Sequence, residues 1–399
     1  MRFVYPFYKL LILLLGFASC QNFQTSEVAL TPLAQHPNGM LYVGMETCLE
    51  CHADLVQSHL LTPHYNTSKQ TTLGALENLL ANSNTTVKLN DGTSLFIEKE
   101  GQQVVQKAFA PTSQEPLYAK TMDIAIGSGK KIGQTFLNWE ESSLFQLQAS
   151  HFNPLNQWIN SPGYGSFLAP KRPIFPRCLE CHATYAQPEN PNSPMENNRY
   201  VQNQIVYGID CQRCHGPVVE HVNYHRKNPM DSIGKNILKY SQLSREQRLD
   251  MCALCHQGTL EQSNQKSFAF QPGDRLNNFR TQINTQANKQ VADVHANQVA
   301  LLRSSACFQQ TKTMDCMTCH NPHRAEAGNR VKFNANCASC HQGVTHTPAE
   351  NATLLKTTFS DCVQCHMPLQ DSSMMKLELE LDSLFPVQVR THKIGIYGE

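Results

Sequence analysis

Seven copies of the pentapeptide C-x-x-C-H punctuate this 399-residue chain: Cys48/Cys51/His52, Cys178/Cys181/His182, Cys211/Cys214/His215, Cys252/Cys255/His256, Cys316/Cys319/His320, Cys337/Cys340/His341 and Cys362/Cys365/His366. They take up 14 of the 16 cysteines. A random order at these residue frequencies would give about 0.03 copies, so the repeat answers a chemical requirement. Two thiols at this spacing can add across the two vinyl groups on one edge of a haem, and the histidine that follows swings beneath the ring to bind iron. Each motif is therefore expected to hold one covalent haem c and to supply its proximal ligand, seven in all. Zinc ribbons pair C-x-x-C units around one ion and need no histidine after every second cysteine. A thioredoxin-like redox pair occurs once, in a βαβ setting.

Covalent haem also accounts for an otherwise thin composition. The apolar fraction is 40%, charged residues are 16% and the formal charge is +1, which supplies little core and no basic excess for nucleic acid. Seven flat macrocycles would furnish the missing apolar interior, and their propionates would make the mature protein acidic.

The first twenty residues read as an export signal. Arg2 and Lys9 precede the run Leu10–Leu15, followed by Gly16, Ala18 and Ser19 and then Cys20, and the run is short for a bilayer span. Small residues ahead of a lone cysteine resemble a bacterial lipoprotein signal with Cys20 as the lipidated residue; cleaved secretion and an uncleaved anchor are the alternatives. All three place the chain outside the cytoplasm, in the periplasm or at the outer membrane.

Residues 21–40 read as a tether and 41–83 as a first haem module, with one helix over 45–61 and another through Leu73, Leu76, Leu79 and Leu80. Alternating apolar residues then mark a haem-free β-rich insertion over 84–177, with a turn at Asn90-Asp91-Gly92. Gly127-Ser128-Gly129-Lys130-Lys131 lies within it and fits neither a dinucleotide fingerprint nor a P-loop. Residues 178–399 are expected to form a six-haem core of short helices and loops, with Ser244 and Gln247 as a capping box. The fold class expected is mainly α with extensive irregular loops and a small β insertion.

Ten histidines remain once the proximal set is subtracted. His320 and His323 are too close in sequence to grip one iron from opposite faces, so two ligands there would serve two haems, and His221 stands in the same relation to His215. His64, His221, His323, His295, His346 and His392 are the expected second axial ligands; His59, His151, His225 and His36 read as ordinary histidines. Met317 and Met367 adjoin motifs as further candidates, and Cys307 reads as a small packed residue. Six second ligands for seven irons leave one site undecided, and an iron with an open face could bind a small molecule.

The chain resembles the multihaem c-type cytochromes of the cytochrome c-552/4 type, and more distantly hydroxylamine oxidoreductase and pentahaem nitrite reductase. The matching stretches are Tyr42-Val43-Gly44 through His52 to His64, Gly208 through Pro217 with His221, and Met314 through His323. Ile126-Gly127-Ser128-Gly129 and Ser161-Pro162-Gly163-Tyr164 add to the likeness. The resemblance implies closely stacked haem pairs with mostly His/His ligation, and carries His64, His221 and His323 as distal ligands. No C-x-x-C-K motif is present, so the activity of the nitrite reductases is not implied. The expected function is electron transfer between extracytoplasmic redox proteins or from a membrane quinol oxidase. The alternative is oxidoreduction of a small nitrogen or sulfur compound at one open haem.

Overall fold

A computed structural model of the chain describes residues 30–397 apart from 82, 131, 170, 194, 259, 263–265, 283–292, 294–295, 345–360 and 381–382. The export signal with Cys20, and the candidate ligands His295 and His346, lie outside the described residues.

Two segments follow directly from local sequence. The first motif rides on the helix Met45–Leu60, and Leu73–Ala81 forms the second helix, with Leu76 turned into the core. The alternation after residue 84 produces a four-stranded antiparallel sheet ordered 86–88, 94–100, 103–109, 118–121. Ser244 caps the helix Arg245–His256 in a full capping box with Gln247.

The expectation of a mainly α fold with a small β insertion is overturned: the chain is 30% helix and 28% strand. The largest element is an eight-stranded sheet. Its order runs 383–390, 369–380, 157–160, 143–152, 133–140, 124–126, 68–70, with Arg172–Pro173 added against Ser143–Phe152. One edge therefore comes from the first haem module and the other from the last thirty residues.

This sheet is apolar on both faces because successive residues of a strand point to opposite sides. Phe136 joins a cluster with Leu95, Ile97 and Trp158 against the four-stranded sheet. Its neighbour Leu137 joins Tyr42, Tyr185 and Tyr200 on the other side, where the hairpin Ala183–Pro188/Tyr200–Tyr207 covers it. Residues 34–35 of the expected tether pair with 41–42 of the first module as a short hairpin, and Ala34 and Tyr42 enter that same cluster.

Gly208 lets the third motif approach the first module. Its φ is +66°, and a Cβ there would meet the Tyr65 carbonyl oxygen at 2.0 Å, so only glycine fits this backbone. The close approach allows the Ile209 N–H to donate to His64 O at 2.9 Å.

Candidate haem-binding centre

Three of the motif helices are held from their N-termini by aspartates. Asp210 accepts from the Gln212 N–H at 2.8 Å, Asp315 from Met317 at 2.9 Å, and Asp361 from Gln364 at 3.3 Å. In each case the cap directly precedes the first cysteine. The aspartate therefore satisfies a helix-end donor while aiming the thiols. These residues were legible as D-C-x-x-C-H but were not singled out by the sequence reading.

Around the second motif the anchor is a buried ion cluster. Glu180, fully buried between Cys178 and Cys181, accepts from the Phe268 N–H at 2.6 Å and from Arg177 at 3.2 Å. It is also paired with Arg280, which is itself 1% exposed. Arg213 of the third motif donates to the Glu180 carbonyl at 2.9 Å.

All fifteen described cysteines are free. Thiols of different motifs nevertheless meet in four places, within hydrogen-bonding reach: Cys48 with Cys211, Cys181 with Cys255, Cys252 with Cys316, and Cys337 with Cys362. The second and fourth motifs also interlock through main chain, Cys181 Sγ lying 3.9 Å from Leu254 O and Cys255 Sγ 3.8 Å from Glu180 O.

The fourteen motif thiols do not share one environment. Cys51 of the first motif, Cys178 of the second, Cys340 of the sixth and Cys365 of the seventh are exposed, whereas the other motif cysteines are at least partly covered. Cys51, Cys340 and Cys365 share one position in their motifs. Each lies three residues after the thiol that meets a neighbouring motif, as the covered Cys214 and Cys319 also do, so the exposure depends on what else packs there. An exposed thiol is free to react with a vinyl group, so the four remain candidates for attachment.

Four motif histidines each face a second imidazole drawn from elsewhere. His52 faces His221 at 6.3 Å between ring centroids, with planes 14° apart. His215 faces His323 at 6.2 Å and 11°, His256 faces His64 at 6.1 Å and 68°, and His320 faces His392 at 6.1 Å and 30°. Two nitrogens about 2.0–2.1 Å from one metal ion, with a ring radius of about 1.1 Å added on each side, put centroids about 6.2–6.4 Å apart. The spacing fits a metal held between two imidazoles. Beside the fifth motif a cavity of about 450 Å³, lined by Met317, His320, Arg324, Glu326, Lys332 and Asn336, gives room for a planar macrocycle. Haem-sized cover is also what the helices Val219–Lys227 and Arg330–Cys340 call for, since neither buries a side chain against protein.

Hydrogen bonding sorts the histidines. A carbonyl oxygen only accepts, so an imidazole nitrogen bonded to one carries the proton and leaves the lone pair on the other nitrogen. His215 Nδ1 lies 3.2 Å from Leu238 O, His366 Nδ1 lies 2.8 Å from Gly395 O, and His221 Nδ1 lies 2.7 Å from Lys235 O. All three keep Nε2 for iron, which is the usual support of a ligating histidine. Burial pushes His64 and His392 down to about 4, so both rings are neutral with a lone pair to offer.

The remaining histidines do other work. His36 turns Nε2 to Phe268 O at 2.8 Å, and His59 turns Nε2 to Ile209 O at 2.8 Å with Nδ1 3.3 Å from Pro322 O. His151 is held by Asn153 at 2.9 Å and Asn156 at 3.2 Å. His225 lies beside His221 with ring centroids 4.7 Å apart. His182 is fixed by Thr67 Oγ1 at 3.0 Å from its Nδ1, and among the described residues no second imidazole faces it, nor His341. Cys307 Sγ lies 3.5 Å from Ser305 Oγ. Met317 lines the fifth-motif cavity, while Met367 O accepts from Arg390 at 2.6 Å.

Comparison with known proteins agrees with this chemistry. The sequence model of the cytochrome c554 and c-prime family matches residues 148–216. The fold is similar to the crystal structure of the outer cell wall cytochrome OcwA, with a TM-score of 0.53 and 17% identity over 88% of this chain and 79% of that one. No curated protein matches the sequence. The chain thus resembles multihaem c-type cytochromes, in sequence over residues 148–216 and in fold over most of its length.

Proposed function

We propose that the chain is a seven-haem electron-transfer lipoprotein working between extracytoplasmic redox partners. The observation that carries this reading is the set of four imidazole pairs at 6.1–6.3 Å, each joining a motif histidine to a residue of another segment. On it, His221, His323, His64 and His392 are the second ligands of the first, third, fourth and fifth irons. His295 and His346 are proposed for two of the remaining three.

Haem, when bound, supplies the electron-carrying iron. What the chain supplies is ligation, spacing and burial, which together set each potential. Its thiol contacts bring motifs one and three, two and four, four and five, and six and seven side by side, so that steps between neighbours are short. His221, six residues beyond His215, and His323, three beyond His320, tie those neighbours together through their own backbone. A line from one through three to five, joined at five by four and two, is the order we propose.

The export signal, Cys20 and the extracytoplasmic attachment of haem c favour a lipid-anchored protein of the periplasm or outer membrane, and the similar fold belongs to a cell-wall cytochrome. No described helix is long and apolar enough to cross a membrane. Redox proteins or a membrane quinol oxidase are the partners proposed. Haem content of the purified protein, followed by an optical redox titration, tests the reading. Seven haems per chain with a broad stepwise curve are expected, and a single sharp wave would contradict it.

One observation favours a second reading. His182, held by Thr67, has no opposing imidazole among the described residues, so its iron could bind a small nitrogen or sulfur compound. Electron paramagnetic resonance decides: an exchangeable high-spin ferric signal supports an open site, and uniformly low-spin iron removes it.

A further inference from the structure

The proposed order leaves the sixth and seventh motifs to be joined to the fifth. Two elements cross that gap. Asn336, on the sixth-motif helix, donates to Cys319 O at 3.1 Å. The other is the C-terminal segment 390–395, which touches both the fifth and the seventh motif within six residues.

Arg390 begins it. Its guanidinium donates to Val363 O at 3.0 Å and Met367 O at 2.6 Å, and to Gln364 Oε1 at 3.2 Å, which covers the seventh-motif helix Cys362–His366 along its length. The Thr391 N–H donates to Pro368 O at 3.1 Å, and Thr391 is fully buried. His392 then faces His320 of the fifth motif at 6.1 Å. Ile394 packs into the cluster that holds Cys316. Gly395 returns to the seventh motif: its N–H donates to His366 O at 3.2 Å and its carbonyl accepts from His366 Nδ1 at 2.8 Å.

We propose that residues 390–395 are a strap that sets the fifth and seventh haems as a pair, with Arg390 as the positioning residue for both. Fixing Arg390 to three groups of one motif places His392, two residues on, over the iron of the other. The Gly395 carbonyl makes the His366 ring a stronger donor, which stabilises ferric iron and lowers that haem's potential. One segment thereby controls the ligation of one haem and the potential of the next. The inference rests on the seven-haem reading.

The test uses the full haem-loaded chain. Arg390→Gln is expected to keep the haem count, to add a high-spin ferric signal as His392 leaves its iron, and to raise one further midpoint; Arg390→Lys should restore part of each. Truncation after Ile394 leaves Arg390 and His392 in place, removes the Gly395 carbonyl, and should raise one midpoint with no high-spin signal. It also serves if the glutamine variant does not load. Unchanged spectra and midpoints in either loaded variant overturn the strap. Fewer than seven haems in the unmodified protein would instead strike the reading beneath it.

Discussion

His215 and His323 face each other at 6.2 Å with ring planes 11° apart, although 108 residues separate them. His323 reaches that position from the loop of the fifth motif, so on the proposed reading the ligand of one iron would be fixed by the attachment of another. Replacing His323 with alanine is expected to convert one low-spin haem to high-spin while leaving the haem count at the native value. Resonance spectra and a haem assay on the same sample check this, and a wholly low-spin variant would rule His323 out as a ligand.

Ring orientation separates one pair from the rest. His64 and His256 are crossed at 68°, whereas the other three pairs lie between 11° and 30°. Axial ligand geometry shapes the electronic structure of the iron. One strongly anisotropic low-spin signal should therefore accompany several rhombic ones, and it should vanish in His64→Ala. Persistence of that signal would assign it elsewhere.

Glu180 neutralises buried arginine beside the second motif. Removing one partner of a buried pair leaves a charge without compensation, at a cost of about 3–5 kcal/mol. Glu180→Ala is expected to lower the urea midpoint of the loaded protein accordingly. A change within about 0.5 kcal/mol, typical of surface sites, would show that the cluster is not coupled to folding.

Stability should also fall on mild acidification through His36. Burial holds this imidazole below its ordinary value of 6.5, so below that pH the unfolded chain takes up a proton that the folded chain refuses. The stability is present above 6.5 and lost as pH falls, with a slope of at most about 1.4 kcal/mol per pH unit for one group. His36→Gln should flatten the difference between urea midpoints at about pH 7.5 and about pH 5.5. An identical slope in the variant would reject the assignment.

Gly208→Ala probes the close approach to Tyr65. A side chain at φ +66° facing a carbonyl at 2.0 Å should cost on the order of 1–3 kcal/mol and, by moving His64, alter the anisotropic signal. A silent substitution would mean that the backbone yields there.

The seven motifs, the helices at Met45–Leu60 and Leu73–Ala81, and the strands after residue 84 were legible because each has a short-range signature: a fixed spacing, a helical stripe, an alternation. Asp210, Asp315 and Asp361 carried an equally local cap signal that was passed over. The exposure of Cys51 and Cys365 could not be read from spacing, because identical pentapeptides differ only in what the rest of the chain packs against them. The last two strands carry a local signal, for Leu377 and Leu379 alternate with Lys376 and Glu378, although Pro386 falls within the second of them. It sits on the edge strand, where a missing N–H is tolerated. Pairings such as His64 with His256 had no local signature, because nothing in the spacing of two histidines says which loop returns to which iron.

The eight-stranded sheet runs from residues 68–70 at one margin to 369–390 at the other, nearly three hundred positions apart. Contacts that distant form late, since loop closure must precede them. The sheet thus stays unfinished until both of its distant margins are available, and the motif cysteines between them lie on a chain still open along its length. Closure of the final hairpin is then the step that brings His392 to the fifth motif, since residue 392 follows directly on its last strand.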